Sequence, residues 1–450
     1  MSQVIVAEPV IQRGEEKTIV QVHITVPGCP SQKVEYVLPP VGVHRGQVID
    51  AMFVIGRVVA MKQGWELVLP GPVSARLIDR SEIMQDIFLE WFTTRAKAMP
   101  LDFDLAEPLD LPADRGVLST FSGGVDSYYT ALENRDRLSA LLFVHGLDIG
   151  LQHTEFRARV SNELAVSAAD LGLPLWEVET NVRDLTNPFA NWAQKAHGAV
   201  LSSVAILLAQ RVDTFLIPGT VTRGAMDGQG WGSHVVTDRL NSTDYLSIVH
   251  HGADTPRPEK TARIAQSETA LRHLRVCYTS RTLYNCGRCR KCRRTLIDLH
   301  LAGVTDQSGI FGDAETLKDA LEQVDVKTTV SRALFEATLT RARALGRKDI
   351  AVPIKRAIQR HDAEMIKRDA IPLRSLLRKD REFRALFAPR RRRPRPKPAV
   401  PAPTPPPPTP PPPTLRALVV HRLPDPVVRR LRGARRMRSR TARLASEAGT

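Results

Sequence analysis

The sequence of 450 residues predicts an α/β protein in which helices cover both faces of a parallel sheet. Three observations predict this fold class. Short apolar runs alternate with helix-length segments over residues 115–305, a Gly-Gly turn follows the first run, and polar residues follow several of the others. Strands that alternate with helices form parallel sheets, and these sheets bind ligands at the carboxyl ends of their strands.

The α/β segment divides into four predicted strands and the helices between them. The strands are expected at residues 116–121, 140–145, 175–180 and 214–218, and the helices at 126–134, 154–171 and 191–210. Polar turns follow three of these strands and would meet at one edge of the sheet.

Residues 1–110 predict a separate α+β module of unknown role. Alternating apolar residues over 17–26 and 33–38 indicate strands, and apolar spacing over 50–62 and 74–92 indicates helices. We find no catalytic constellation in this module, and we interpret its single cysteine, Cys29, as structural or incidental.

The C-terminal part of the chain predicts a helical extension over 312–388 and a disordered tail over 389–450. Thirteen of the twenty residues from Pro394 to Pro413 are proline, which favours an extended polyproline spacer. From Arg390 onward the tail holds sixteen Lys and Arg and two acidic residues, which leaves the rest of the chain a net charge of only +2. The tail is therefore a candidate for binding nucleic acid or an acidic partner, and the body is not.

The turn after the first α/β strand, Ser122-Gly123-Gly124-Val125-Asp126-Ser127, contains the residue types of a phosphate-binding loop. Adjacent glycines let the backbone approach a ligand, and the free N–H groups of a helix start attract anions. Hydroxyl and carboxylate groups in the same turn suit helix capping and Mg²⁺ binding. An ordinary capped strand–turn–helix corner is the alternative interpretation.

Four cysteines at Cys277, Cys286, Cys289 and Cys292 form the second strong signal. Two overlapping C-x-x-C units and a further thiol provide the four sulfur ligands of a structural Zn²⁺ site. An iron–sulfur cluster and unliganded cysteines are the alternatives. Disulfides are disfavoured because the expected location is cytoplasmic: the sequence starts without a secretory signal pattern and has no apolar run long enough to span a membrane.

The Ser122–Ser127 turn resembles the S-G-G-x-D-S loop of the PP-loop ATP pyrophosphatase family, and the cysteine cluster makes residues 115–305 similar to 7-cyano-7-deazaguanine synthases. The resemblance implies the adenine nucleotide α-hydrolase-like fold, ATP with Mg²⁺, and a structural Zn²⁺. It also implies that Lys260, in Pro258-Glu-Lys-Thr-Ala-Arg-Ile264, reaches the ATP phosphates. We expect Gly219 and Thr220, which follow a strand, to complete the nucleotide site, and Asp126, with Asp148 or Asp227, to bind Mg²⁺.

The resulting expectation is an AMP- and pyrophosphate-forming ligase, with Asp126 and Lys260 as its catalytic residues. It would adenylate a carboxylate or amide oxygen of a small acceptor, such as a deazapurine carboxylate, for attack by ammonia or another amine. The alternatives are a tRNA- or protein-modifying enzyme recruited through the tail and a non-catalytic nucleotide-binding module. The synthases have no counterpart to residues 1–110 or to the C-terminal extension of this chain. The polar segment 223–252 does not match them either, and we expect it to form a substrate lid. An oligomer is possible.

Overall fold

The computed structural model describes residues 2–223, 230–312 and 316–379, with side chains described up to Lys367. Residues Met1–Leu376 form one compact unit. The expected tail, 389–450, and part of the expected extension lie outside the described residues.

One ten-stranded sheet runs through this unit. In chain order its strands are β1 Gln3–Val6, β2 Val10–Arg13, β3 Thr18–Thr25, β4 Gln32–Leu38, β5 Glu66–Val68, β6 Gly116–Thr120, β7 Leu138–His145, β8 Leu175–Thr180, β9 Val212–Pro218 and β10 Ser247–His251. They lie in the order β10-β9-β6-β7-β8-β4-β3-β1-β5, and β2 pairs with β3.

The five strands from β6 to β10 are mutually parallel. The alternating pattern predicts β6 to β9, whereas β10 lies in the segment expected as a lid. The chain passes from β6 outward to β7 and β8, and then returns to the other side of β6 to form β9 and β10. The strand order therefore reverses between β6 and β9. In open parallel sheets the loops after two such strands diverge and leave a crevice for a ligand.

The N-terminal strands extend this sheet and do not form one of their own. Strand β4 pairs antiparallel with β8, with Tyr36 opposite Thr180. Tyr36 is fully buried and its hydroxyl lies 3.0 Å from Ser203 Oγ. The segment predicted as a separate module thus shares both the sheet and the core of the parallel strands.

Helices cover both faces of the sheet, which confirms the α/β class with a mostly parallel sheet. The helices are α1 Arg45–Ala60, α2 Ala75–Trp91, α3 Val125–Glu133, α4 Thr154–Asp170, α5 Val182–Thr186, α6 His197–Leu207, α7 Arg257–Ile264, α8 Glu268–His273, α9 Arg290–Leu301, α10 Ser308–Phe311, α11 Leu317–Glu322, α12 Thr329–Ala344 and α13 Lys348–Lys379. Buried residues of α1, α2 and α6 form the core on one face, and those of α3, α4 and the helices from α7 onward form the core on the other.

The polar segment 223–252 is not a lid in its described part. It contains a 3₁₀ turn, Asp238–Asn241, followed by the edge strand β10, and residues from Ser233 to Thr243 are largely buried. Its polar residues are buried because they bond to one another and to neighbouring helices: Asp238 accepts from Ser233, and Asn241 bonds to Ser202. Residues 224–229, including Asp227, lie outside the described residues.

Candidate active site

The turn between β6 and α3 has the backbone geometry of an anion-binding loop. Gly123 has a φ of 72°, which only glycine adopts without strain, and Gly124 caps α3 with extended backbone and no side-chain hydrogen bond. Ser127 Oγ donates to the Gly124 carbonyl at 3.0 Å and accepts from the Ser122 N–H at 3.3 Å, which closes the turn. A Cβ on Gly123 would also lie 3.0 Å from Leu164 Cδ2, a tight contact that the leucine side chain would have to relieve by a small shift.

Asp126, in the first turn of α3, is the anionic centre of the site. Its Oδ2 accepts from Arg257 and, at 3.1 Å, from the Thr220 hydroxyl, and its Oδ1 lies 3.9 Å from Lys260 Nζ. Burial alone would raise the pKa of Asp126, but the charges of Arg257, Lys260 and Arg294 outweigh it and leave the pKa lowered. Asp126 is therefore an ionised carboxylate held between buried cations.

Helix α7 supplies two of these cations. Pro258 stands in its first turn, where the missing N–H costs nothing, and starts the helix after an extended Pro256. Arg257 and Lys260 are three positions apart and therefore lie on one face of α7, toward Asp126. Lys260 is fully buried and donates to the Gly219 carbonyl; burial lowers its pKa, an effect that Asp126 partly opposes. The site thus joins the turn after β6 to the turn after β9.

Buried guanidinium groups around this turn keep N–H groups without partners. Four nitrogens of these groups make no hydrogen bond within the described residues: Nε of Arg257, Nε of Arg294, and Nε and Nη2 of Arg275. The Arg275 backbone N–H donates to the Gly123 carbonyl at 2.7 Å, so this arginine is fixed directly against the turn. Buried polar groups are normally paired, and these donors therefore favour an anionic ligand.

A second carboxylate, Asp148, follows β7 on the other side of the turn. Desolvation raises its pKa, but the charges of Lys291 and Arg275 outweigh this and leave the pKa lowered. Asp148 keeps part of its surface accessible to solvent, whereas the Asp126 side chain is mostly covered. Asp126 and Asp148 therefore lie at the same edge of the sheet but in different surroundings.

The four cysteines form a compact cluster that could hold a metal ion such as zinc. Their sulfur atoms all lie within 4.8 Å of one another, with Cys289 and Cys292 at 3.5 Å and Cys286 and Cys292 at 3.9 Å. A tetrahedral site with Zn–S bonds of about 2.3 Å needs sulfurs about 3.8 Å apart, so the cluster fits that ion. Backbone N–H groups of Ser280 and Cys289 point at sulfur atoms and favour the thiolate form.

The cluster is built from a loop and the start of α9. Gly287 has a φ of 67°, Cys289 caps α9, and Cys292 lies in its first turn, fully buried. Asn285 braces the loop: its Oδ1 accepts from two backbone N–H groups, at Val276 and at Cys277, and its Nδ2 donates to the Leu274 carbonyl at 2.6 Å.

Helix α9 links the cysteine cluster to the crevice. Two residues beyond Cys292 it carries Arg294, whose charge acts on Asp126, and one turn later it carries Asp298. Burial raises the pKa of Asp298 to about 6, since its Oδ2 makes no hydrogen bond within the described residues and only Thr338 donates to its Oδ1.

A polar cavity of about 410 Å³ opens elsewhere, between α4, β8 and the end of β4. His145 lies 3.0 Å from Glu177 and accepts from Arg157, which in turn pairs with Glu179. These four side chains bond to one another, whereas the guanidinium groups around the Gly123–Gly124 turn keep N–H groups without partners among the described residues. The crevice is therefore the better candidate for a ligand site.

The structure brings together most of the predicted site residues. The turn Ser122–Ser127, with the Val125 side chain buried in the core, meets Gly219, Thr220 and Lys260 at one edge of the sheet. Sequence reasoning missed two of the site arginines, Arg257 and Arg275. The spacing of Arg257 and Lys260 on one helix was the available signal; nothing in the sequence pointed to Arg275.

Comparisons with models of protein families, with curated proteins and with solved structures found no match. The fold and the site together define an α/β protein with buried cationic side chains around the turn after β6, at the strand-order reversal, and an adjacent four-cysteine cluster. Within residues 2–223, 230–312 and 316–379, no helix has the length and apolar character needed to cross a membrane.

Proposed function

We propose that the protein is an ATP-dependent ligase that forms AMP and pyrophosphate. It adenylates a carboxylate or amide oxygen of an acceptor, and ammonia or another amine then displaces AMP. The observation that carries the proposal is the group of buried arginines with unpaired N–H groups around the Gly123–Gly124 turn, beside the switch between β6 and β9.

Three features support a nucleotide in this crevice. The positive-φ glycine and the uncapped start of α3 offer backbone N–H groups to phosphate oxygens. The cations Arg257 and Lys260 stand next to that helix start. The turn sequence resembles the S-G-G-x-D-S loop of the PP-loop enzymes, and the turn lies where the order of the parallel strands reverses.

The chain's own groups have separable tasks in the proposed reaction. The turn amides hold the phosphates, and Arg257 and Lys260 stabilise the charge that develops on the departing pyrophosphate. Asp126 Oδ1, which has no hydrogen-bond partner among the described residues, is a suitable oxygen ligand for Mg²⁺. Mg²⁺ bound there would supply further charge neutralisation to the phosphates.

The cysteine cluster has a structural task in this proposal. A zinc ion held by Cys277, Cys286, Cys289 and Cys292 would fix the start of α9, and thereby the position of Arg294 beside Asp126. A closed site with four protein ligands leaves no position for substrate, so the metal would not take part in the reaction.

The test is product detection. The protein is incubated with ATP, MgCl₂, ammonium chloride and a 7-deazapurine carboxylate, and AMP and pyrophosphate are quantified. Arg257→Met removes a cation of the crevice and should lower AMP formation at least about 100-fold. Arg263→Met, on the same helix but in an exposed pair with Glu133, is the matched control and should stay within about 2-fold.

Formation of ADP and phosphate in place of AMP would contradict the proposal. So would the absence of AMP together with an unchanged melting temperature in saturating ATP, because a bound ligand must stabilise the folded state.

The basic tail favours one second candidate, the modification of a tRNA or protein acceptor. Its sixteen Lys and Arg suit electrostatic recruitment of a polyanion. Truncation before Pro389 distinguishes the two: it should leave turnover of a small acceptor unchanged, and it should abolish turnover of a macromolecular one.

A further inference from the structure

Asp238 and His250 form a buried pair beside Gly219, just after the end of β9. His250 Nδ1 lies 2.7 Å from Asp238 Oδ2, and the two side chains are only 3% and 1% exposed. The carboxylate is itself fixed, because the Ser233 hydroxyl donates to Oδ2 at 2.6 Å and the His234 backbone N–H lies 3.2 Å from Oδ1.

This pairing determines which nitrogen of His250 carries the proton. A carboxylate accepts hydrogen bonds, so Nδ1 is the protonated nitrogen and Nε2 presents its lone pair. Nε2 is buried and makes no hydrogen bond within the described residues. An imidazole held in one tautomer by a buried carboxylate, with a free second nitrogen, is the arrangement of a general base.

The free nitrogen lies against the turn that completes the proposed nucleotide site. A Cβ on Gly219 would be only 2.5 Å from His250 Nε2, so glycine is required there for the imidazole to approach. From the opposite face of the sheet Lys260 donates to the Gly219 carbonyl, and the next residue, Thr220, donates to Asp126. His250 and Lys260 thus flank the same strand end from two sides.

We propose that His250 accepts the proton of the attacking nucleophile in the second half of the reaction, an inference that rests on the proposed function. The nitrogen of ammonia bonds to the acyl carbon of the adenylate, the bond from that carbon to the phosphate oxygen breaks, and AMP leaves. The proton lost by nitrogen passes to His250 Nε2, and Asp238 stabilises the imidazolium.

The test separates the two half-reactions with His250→Asn. The asparagine amide keeps a donor for Asp238 but has no group at the position of Nε2. With ATP, MgCl₂ and a 7-deazapurine carboxylate, pyrophosphate exchange reports adenylation; with ammonium chloride added, amide formation reports the second half. Exchange should stay within about 2-fold and amide formation should fall at least about 100-fold.

His251→Asn is the matched control and should leave both rates within about 2-fold. His251 is the next residue of β10, but its ring bonds to Thr130 and Asn134 on the other face of the sheet. Equal amide formation by the His250 variant, or equal loss of exchange and amide formation, overturns the inference while the proposed function stands. Wild-type protein without exchange contradicts the proposed function itself.

Discussion

Asp126 and Asp298 should respond to the same isosteric substitution with changes of opposite sign in the free energy of unfolding. Asp126 is an ion-paired carboxylate between Arg257 and Lys260, both nearly or fully buried. Asp298 is a fully buried carboxyl group with a single hydrogen bond, from Thr338. Asp126→Asn therefore removes a partner from buried cations, whereas Asp298→Asn removes the cost of a buried charge.

The magnitudes follow from burial and pKa. Removing one partner of a buried ion pair costs about 3–5 kcal/mol, which we expect for Asp126→Asn at pH 7.5. The pKa of Asp298 rises from 3.8 to about 6 on folding, and one pKa unit corresponds to about 1.4 kcal/mol. The ionised form of Asp298 therefore costs about 3 kcal/mol at pH 7.5, and Asp298→Asn should recover up to that amount.

The pH dependence of the free energy of unfolding distinguishes these causes. The folded protein holds a proton on Asp298 that the unfolded chain has lost, so this contribution is present below about pH 4 and disappears as the pH rises through 6. The pKa of Asp126 is lowered instead, so its contribution is present at neutral pH and is lost as the pH falls below the unfolded value of 3.8. The benefit of Asp298→Asn should vanish toward pH 4, and the penalty of Asp126→Asn should shrink below it.

Urea unfolding followed by circular dichroism, from pH 3.5 to 8, measures both variants against wild type. The reasoning is refuted if the two substitutions change the free energy of unfolding in the same direction at pH 7.5. It is equally refuted if the Asp298→Asn difference is independent of pH.

Three further predictions concern other parts of the molecule. Gly123→Ala should destabilise the protein by about 1–2 kcal/mol in thermal unfolding, since its φ is 72°, whereas Gly124→Ala, at a φ of −85°, should cost less than half as much. Purified protein should contain one tightly bound metal ion per chain by mass spectrometry; Cys289→Ser should lose it and Cys29→Ser should keep it, and full metal content in Cys289→Ser would contradict a four-sulfur site. Burial raises the pKa of Asp50 to about 7, so Asp50→Asn should gain stability relative to wild type as the pH rises from 4 to 7 in urea titrations; a constant difference would exclude this cause.

The sequence was sufficient for the parallel strands and for the turn, because both depend on local patterns. Alternating apolar runs predicted β6 to β9. The glycine pair predicted a tight turn, and in the structure Gly123 adopts the positive φ that this turn needs. The cysteine spacing likewise predicted a compact cluster, since C-x-x-C places two thiols on one tight loop.

The remaining parts depend on contacts between distant segments. Strand β10 is short and follows a polar stretch, and its pairing with β9 comes from tertiary packing that periodicity does not report. Arg275 reaches the turn from about 150 residues away because its own backbone bonds to Gly123. The environment of His250 also depends on Gly219, which is distant along the chain but packs against the imidazole, and no spacing in the sequence predicts this contact.

The pairing of β4 with β8 has a consequence for how the chain folds. Tyr36 and Thr180 are separated by more than 140 residues along the chain. Forming this pair therefore has a large entropic cost of loop closure and gives the sheet a high contact order. On the ribosome the N-terminal strands must wait, with one edge unpaired, until β8 has been synthesised. A fragment beginning near residue 115 would expose the matching edge of β8, and we expect such a fragment to aggregate.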